Sequence, residues 1–204
     1  MSVVLASSSP RRRELLFRLG VEFTVVPSAV EERDPVPGED PAEYALFLAG
    51  QKADEVARRC PDAVVLGADT VVAIDGQILN KPADEEDALR MLRLLRGQWH
   101  IVVTAVAVRG PVQRSAASTA SVQIRAAPDD ELRAYIATGE PMDKAGAYAV
   151  QGLGGRLVER VEGCYETVIG LPLCITSDLL AAAGLTVAGE AACRHLPASL
   201  DSRI

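Results

Sequence analysis

The stretch Val64-Val-Leu-Gly-Ala-Asp69-Thr70-Val-Val-Ala-Ile74 decides how this chain is read. An apolar, β-branched run of this length predicts a strand buried on both faces, here broken by one carboxylate. Burying an acid is costly unless it is paired, hydrogen-bonded or bound to a metal, so Asp69 is a candidate functional residue. The other reading of Asp69 is a cap on a turn at the strand end. Gly67-Ala68, just before it, marks a bulge or a place where something approaches the backbone closely.

Moving outward from that strand, Asp75-Gly76 predicts a tight hairpin turn, with Gln77-Ile-Leu79 returning antiparallel. The return delivers Asn80-Lys81-Pro82 toward Asp69, as part of a site or as a simple salt bridge. Upstream, Asp40-Pro41-Ala42-Glu43 opens a long helix with an N-cap, a proline at the first position and a capping-box acid. Its apolar stripe runs through Ala42, Ala45, Leu46, Ala49, Ala53, Val56, Ala57 and Cys60. Lys52 falls on that stripe, so its ammonium either meets an anionic partner inside or snorkels to the surface.

Nearer the N-terminus, strand Val3-Val4-Leu5-Ala6 leads into Ser7-Ser8-Ser9-Pro10-Arg11-Arg12-Arg13, with Ser9 suited to the N-cap and Pro10 to the first helical position. Three arginines there oppose the helix dipole by roughly 0.3–1 kcal/mol each, and an anion would reverse that sign. Residues about 100° apart cannot all face one ligand, so at least one arginine is expected in solvent. A basic surface turn is the alternative. The loop Pro27 to Asp34, holding Glu31 and Glu32, clusters carboxylates as a divalent-cation site would, or as a hydrated loop does.

Downstream, Asp84 to Leu95 is an amphipathic helix, Trp99 to Val108 a central strand, the later half of Val112 to Ala126 a half-exposed strand, and Pro128 to Ile136 a short helix. Asp143-Lys144-Ala-Gly-Ala-Tyr148-Ala-Val-Gln151-Gly-Leu-Gly-Gly155 is either shaped around a ligand or a turn between strands, and it is neither GxGxxG nor a Walker sequence. A helix over Leu173 to Ala183 stops at Gly184, and residues 185–204 read as a loosely attached tail.

At 204 residues and net charge −7, the chain has length for a core, and its charge argues against nucleic-acid polymers while leaving small anionic ligands open. No apolar run approaches the roughly 18–20 residues of a membrane span, and no signal peptide is visible, so a soluble cytoplasmic protein is expected. Cys60, Cys164, Cys174 and Cys193 lack CxxC spacing, which argues against a zinc site or disulfide framework and fits a reducing compartment. His100 and the distant His195 do not make a histidine metal cluster.

Six ordered blocks carry a resemblance: Leu5-Ala-Ser-Ser-Ser-Pro-Arg-Arg-Arg-Glu-Leu-Leu16, Leu66-Gly-Ala-Asp-Thr-Val-Val72, Leu79-Asn-Lys-Pro82, Trp99-His100 to Thr104-Ala-Val106, Asp143-Lys-Ala-Gly-Ala-Tyr148 and Gly170-Leu-Pro-Leu173. Together they resemble the Maf family of nucleoside triphosphate pyrophosphatases over about residues 3 to 183. The resemblance implies a mixed α/β fold of the inosine triphosphatase type: an elongated twisted sheet flanked by helices, with a cleft between two lobes, over residues 1–184. It implies Asp69 as general base, with Lys81 also catalytic. It implies Ser7, Ser9, Arg12, Arg13, Lys52 and Lys81 around the phosphates, and Glu32 with Asp69 at a divalent metal, Mg²⁺ or Mn²⁺. Arg11, Thr70 and Gln151 match positions of base selection. Ala-Gly-Ala-Tyr148 followed by Gln151-Gly resembles the branch acting on dTTP and UTP, and base-modified pyrimidine nucleotides are expected with them. Cys164-Tyr-Glu-Thr167 departs from the Ser-Tyr-x-Asn of many relatives. The implied partner is a small nucleoside triphosphate, with no nucleic-acid polymer and no membrane; a homodimer is compatible with it. A nucleotide-binding regulator of cell division is the alternative function.

Overall fold

The chain is described here from a computed structural model over residues 1–194. In chain order its elements are β1 (Ser2–Leu5), α1 (Pro10–Arg18), β2 (Phe23–Val25), α2 (Pro41–Arg59), β3 (Ala63–Ile74), β4 (Gln77–Leu79), α3 (Glu85–Leu95), β5 (Trp99–Arg109), β6 (Arg114–Ile124), α4 (Asp129–Ile136), β7 (Val158–Glu162), α5 (Tyr165–Ile169) and α6 (Leu173–Ala182), with three 3₁₀ turns between α4 and β7. The caps are local and follow the sequence. Ser9 accepts from the Arg12 N–H and Asp40 from Ala42 and Glu43, with a proline at the first position of both helices. Asp84 caps α3 through the Asp87 N–H.

Seven strands make one twisted mixed sheet in the order β2-β1-β3-β5-β6-β7, with β4 also paired to β3. β2, β1 and β3 are parallel and every other pairing is antiparallel. Residues alternate between the faces of β3, so Val64, Leu66, Ala68, Val72 and Ile74 pack into one core and Ala63, Val65 and Val71 into another. The first core lies under α1, α3, α4, α5 and α6; α2 alone closes the second. On α2 the buried residues are Tyr44, Ala45, Leu48, Ala49, Gly50, Ala53 and Val56. The stripe is therefore rotated slightly from the sequence reading, leaving Ala42, Leu46, Ala57 and Cys60 half-buried. No helix among the described residues is long and apolar enough to cross a membrane.

One feature of the register creates the cleft. Along one edge of β3, β1 pairs with Ala63 to Leu66 and β4 with Val72 to Ile74, so residues 67–71 have a strand partner only on the β5 side. Asp69 is the middle residue of this uncovered interval. The hairpin that supplies β4 turns at Asp75 (φ 49°) and Gly76 (φ 74°), the paired left-handed residues that Asp-Gly favours.

Gly67 is where something does approach closely, and it is helix α2. A Cβ there would lie 2.5 Å from the Ala49 carbonyl oxygen and 2.8 Å from the Ala53 nitrogen. Gly67→Ala is expected to destabilise the protein by about 1–3 kcal/mol through overpacking against helix backbone. Denaturant unfolding checks this, and an unchanged midpoint would mean that α2 yields freely.

Segment 185–194 makes backbone hydrogen bonds to the body of the protein. The N–H groups of Gly189 and Glu190 donate to the carbonyls of Leu19 and Arg18 at the end of α1, and the Tyr165 N–H donates to the Arg194 carbonyl. These pairings satisfy backbone groups that helix ends leave open, a gain that no periodicity in the segment signals. The rest of the expected tail, 195–204 with His195, lies outside the described residues.

Candidate active site

A cleft of about 920 Å³ opens over the uncovered interval of β3. It is lined by Ser7 to Arg12 after β1, Glu32, Lys52 of α2, Asp69 and Thr70 of β3, Lys81 after β4, and the loop from Asp143 to Gln151. Six basic and five acidic side chains line it, against a chain charge of −7. Positive charge is thus concentrated where the whole molecule is acidic, which suits a small polyanion.

Asp69 points to the α2 side, where Lys52 Nζ donates to its Oδ1 at 2.5 Å and meets Glu32 Oε1 at 2.6 Å. The lysine thus goes inward and bridges two carboxylates. Its inward direction follows from the stripe, since it lies one turn after Leu48. Glu32 is brought there by its neighbour: the Arg33 carbonyl accepts from the Tyr44 hydroxyl at 2.5 Å, and the Arg33 guanidinium stacks over Tyr44 and Phe47. Burial pushes the Asp69 pKa up, opposed by the charges of Lys52 and Arg12. Burial also acts to raise Glu32, but the hydrogen bond and charge of Lys52, with Lys81 and Arg12, outweigh it and lower that pKa. Two neighbouring carboxylates pushed in opposite directions fit a base beside a permanent anion. Asp69 Oδ2 has no hydrogen-bond partner among the described residues, which leaves it to accept from water.

Arg12 is the arginine of the cluster turned deepest into the cleft. Its Nε donates to the Gly170 carbonyl at 3.0 Å, Nη1 to Ser7 Oγ at 3.3 Å and Nη2 to Thr70 Oγ1 at 3.1 Å. Burial lowers its pKa, countered by Asp69 and Glu32, and arginine keeps its charge regardless. Ser7 and Ser9 both serve here as acceptors, of the Ser9 and Arg12 N–H groups, so each keeps its own proton to donate to an anion. Arg11 Nη2 donates to the Gln151 carbonyl at 3.2 Å and so ties the glycine-rich loop to the start of α1.

A family profile described as "Maf-like protein" matches residues 2–183. The chain belongs to the Maf family. Among relatives, "dTTP/UTP pyrophosphatase" of Pelotomaculum thermopropionicum is 48% identical over 188 residues, covering 91% of this chain and 98% of that protein. The protein of the same name from Geobacter sulfurreducens is 50% identical over 182 residues, 87% of this chain and 94% of its own. A solved nucleoside-triphosphatase / dITP/XTP pyrophosphatase from Mycobacterium abscessus aligns with a TM-score of 0.40 at 20% identity, covering 63% of this chain and 76% of that one.

Within this Maf chain the sequence-read residues do not all meet. Ser7, Ser9, Arg11, Arg12, Glu32, Lys52, Asp69, Thr70, Lys81 and Gln151 line one cleft. Arg13 does not: it is exposed and outside the cleft lining, as the 100° step requires for one of three consecutive arginines. Lys81 lies at the rim. Its ammonium is 3.8 Å from Glu32 Oε2 on a side chain 59% exposed, and the ammonium on Asp69 is that of Lys52.

Other groups escaped the sequence reading. Thr70 shares a hydrogen bond with Thr104 of β5 at 2.9 Å, and Thr104, fully buried, donates to the Thr167 carbonyl at 2.7 Å. A lone threonine in an otherwise apolar strand was the available signal. Glu140 accepts from the N–H groups of Leu153 and Gly154 and from the Tyr135 hydroxyl, holding the loop that carries Gln151. The Glu166 side chain is fully buried, between Arg18 and Arg194. Cys164, Cys174 and Cys193, scattered in sequence, place their sulfurs within 4.8 Å of one another.

Proposed function

We propose that the chain hydrolyses nucleoside triphosphates, dTTP and UTP foremost, to the nucleoside monophosphate and pyrophosphate, in a house-cleaning role in the cytoplasm. The names of the relatives support the substrate class. The observation that carries the reaction is the carboxylate of Asp69, buried and raised in pKa, held at one oxygen by Lys52 and open at the other. A site that only binds phosphate needs Arg12, Ser7 and Ser9 but no such base.

Arg12, Lys52 and the two serines hold the β and γ phosphates, the guanidinium by paired donors and the ammonium as a point charge. Water attacks the α-phosphorus, and its proton passes to Asp69 Oδ2. Pyrophosphate then leaves into the basic cluster, which stabilises the charge that develops on it. The donor set fits a divalent cation, because Asp69 and Glu32, both within reach of Lys52, bring hard oxygens to the same part of the cleft. Mg²⁺, with Mn²⁺ as a substitute, would be held by these two carboxylates and would supply charge neutralisation at the phosphate oxygens. Hydrolysis in ¹⁸O-labelled water is expected to label the nucleoside monophosphate and leave pyrophosphate unlabelled. Nucleoside diphosphate plus labelled orthophosphate would place attack on the γ-phosphorus and remove Asp69 from this role.

Base preference rests on Gln151, whose carbonyl is fixed by Arg11 while its side chain lines the cleft. Gln151→Ala is expected to weaken kcat/KM for dTTP and UTP relative to purine triphosphates by roughly 1–3 kcal/mol, the cost of an unpaired polar edge. An equal loss for all four bases would mean that the residue supports the loop without reading the base.

A further inference from the structure

We propose that Cys164, Cys174 and Cys193 form a site for a soft divalent cation, zinc above all, remote in chemistry from the oxygen-lined cleft. The three sulfurs lie within 4.8 Å of one another, and the Glu166 Oε2 oxygen stands 3.7 Å from Cys164 Sγ. Zinc bound tetrahedrally at about 2.3 Å from each thiolate needs sulfurs about 3.8 Å apart. The Cys174–Cys193 pair, now 2.7 Å apart, would have to open to that spacing to admit the ion. Cys164 is buried while Cys174 and Cys193 are half-buried, so the cation has shelter and a way in.

Burial pushes the Cys193 thiol up, so the free thiols keep their protons until a cation takes the sulfurs. Cys193 Sγ accepts the backbone N–H of Cys174 at 3.3 Å, in the first turn of α6, where the helix dipole supports negative charge. Three thiolates beside the Glu166 carboxylate would repel one another if left alone, and a cation at their centre turns that repulsion into coordination. On binding, each thiol releases its proton to solvent as a metal–sulfur bond forms. The fourth position falls to water or to Glu166 Oε2.

The site joins three separate segments: the start of α5, the start of α6 and the chain after α6. It would pin 185–194 to the body beside the Arg194–Glu166 pair and steady α5, which ends at the Gly170 carbonyl held by Arg12. The cluster is thus a structural metal centre that supports the phosphate-binding arginine from behind. A Cys174–Cys193 disulfide would use two sulfurs and leave Cys164 unused.

The full chain, reduced and freed of metal, would be titrated with Co²⁺ and then Zn²⁺. One Co²⁺ per chain is expected, with sulfur-to-cobalt charge-transfer absorption and tetrahedral visible bands, displaced by one Zn²⁺ that also slows hydrogen exchange over 185–194. C164S, C174S and C193S should each lower affinity by more than the about 10–100-fold typical of losing an outer partner of a metal site, and C60S should leave it unchanged. Binding that persists in the triple serine variant belongs to the carboxylates of the cleft and overturns the proposal. So does cobalt bound without thiolate bands, or a Cys174–Cys193 disulfide in place of metal in the freshly isolated protein.

Discussion

Asp69→Asn is expected to lower kcat on dTTP and UTP by about 10²–10⁴, the range that loss of a positioned general base produces. The amide has nearly the shape of the carboxylate and still offers an oxygen to Lys52, which also keeps Glu32 at 2.6 Å. The ammonium is therefore not left without an anion. Because burial already works against the charge on Asp69, the neutral side chain relieves that cost while it loses the attraction of Lys52, and the two changes oppose each other in stability. Turnover should fall far more than substrate affinity, and the melting temperature should move little. Steady-state kinetics beside a nucleotide-binding isotherm would check the split. A kcat within a few-fold of the parent would take Asp69 out of the chemistry, and a proportionate loss of binding would make it a phosphate or metal ligand only.

The second large effect concerns acid stability and lies away from the cleft chemistry. His100 is 3% exposed, and its Nε2 shares a 2.7 Å hydrogen bond with the Tyr148 hydroxyl. Its Nδ1 is buried with no partner among the described residues. Burial pushes the His100 pKa from 6.5 down to about 4. The folded protein therefore binds fewer protons at this site than the unfolded chain between those two values. Stability from this group is complete above pH 6.5 and is lost as pH falls toward 4, by about 3 kcal/mol in all. Buried carboxylates with lowered pKa, Glu166 among them, also lose stability on the acid side, so the histidine share is read by difference. His100→Gln keeps a hydrogen-bonding group for Tyr148 and removes the titration. Denaturant unfolding of both proteins from pH 7.5 to 4 should show the parent losing about 3 kcal/mol more than the variant. Parallel profiles would mean that His100 takes up its proton equally in the folded and unfolded chains. The same pair holds Tyr148, which borders the cleft, so acid should loosen the glycine-rich loop as well.

The local reading of the sequence reached far because its signals are short-range. Alternating apolar residues set the faces of β3, Asp75-Gly76 set a turn with two left-handed residues, and Ser9, Asp40 and Asp84 set three helix starts, each decided by atoms within four positions. The short helix α5 escaped: five residues make too little of a helical period to stand out between β7 and Gly170. The anomaly of an acid in an apolar strand pointed to Asp69, and the place of Lys52 on its helical stripe pointed inward. Both follow from the cost of burying charge, which depends little on the rest of the fold.

What the sequence by itself determined is therefore the set of elements, their buried faces and the residues that burial makes anomalous. Only the tertiary structure decided which of those residues meet. Lys52 and not Lys81 sits on Asp69, since α2 packs over the face of β3 that carries the acid while the hairpin leaves Lys81 at the rim. Arg12 enters the cleft and Arg13 leaves it, because the orientation of α1 against β1 fixes which of three arginines faces in. The gap along β3 that admits a ligand arises from two strands pairing at its two ends, and three cysteines up to 29 positions apart converge where the chain after α6 returns to α5. Pairing between distant segments is set by the packing of the whole sheet, and no local pattern of residues encodes it.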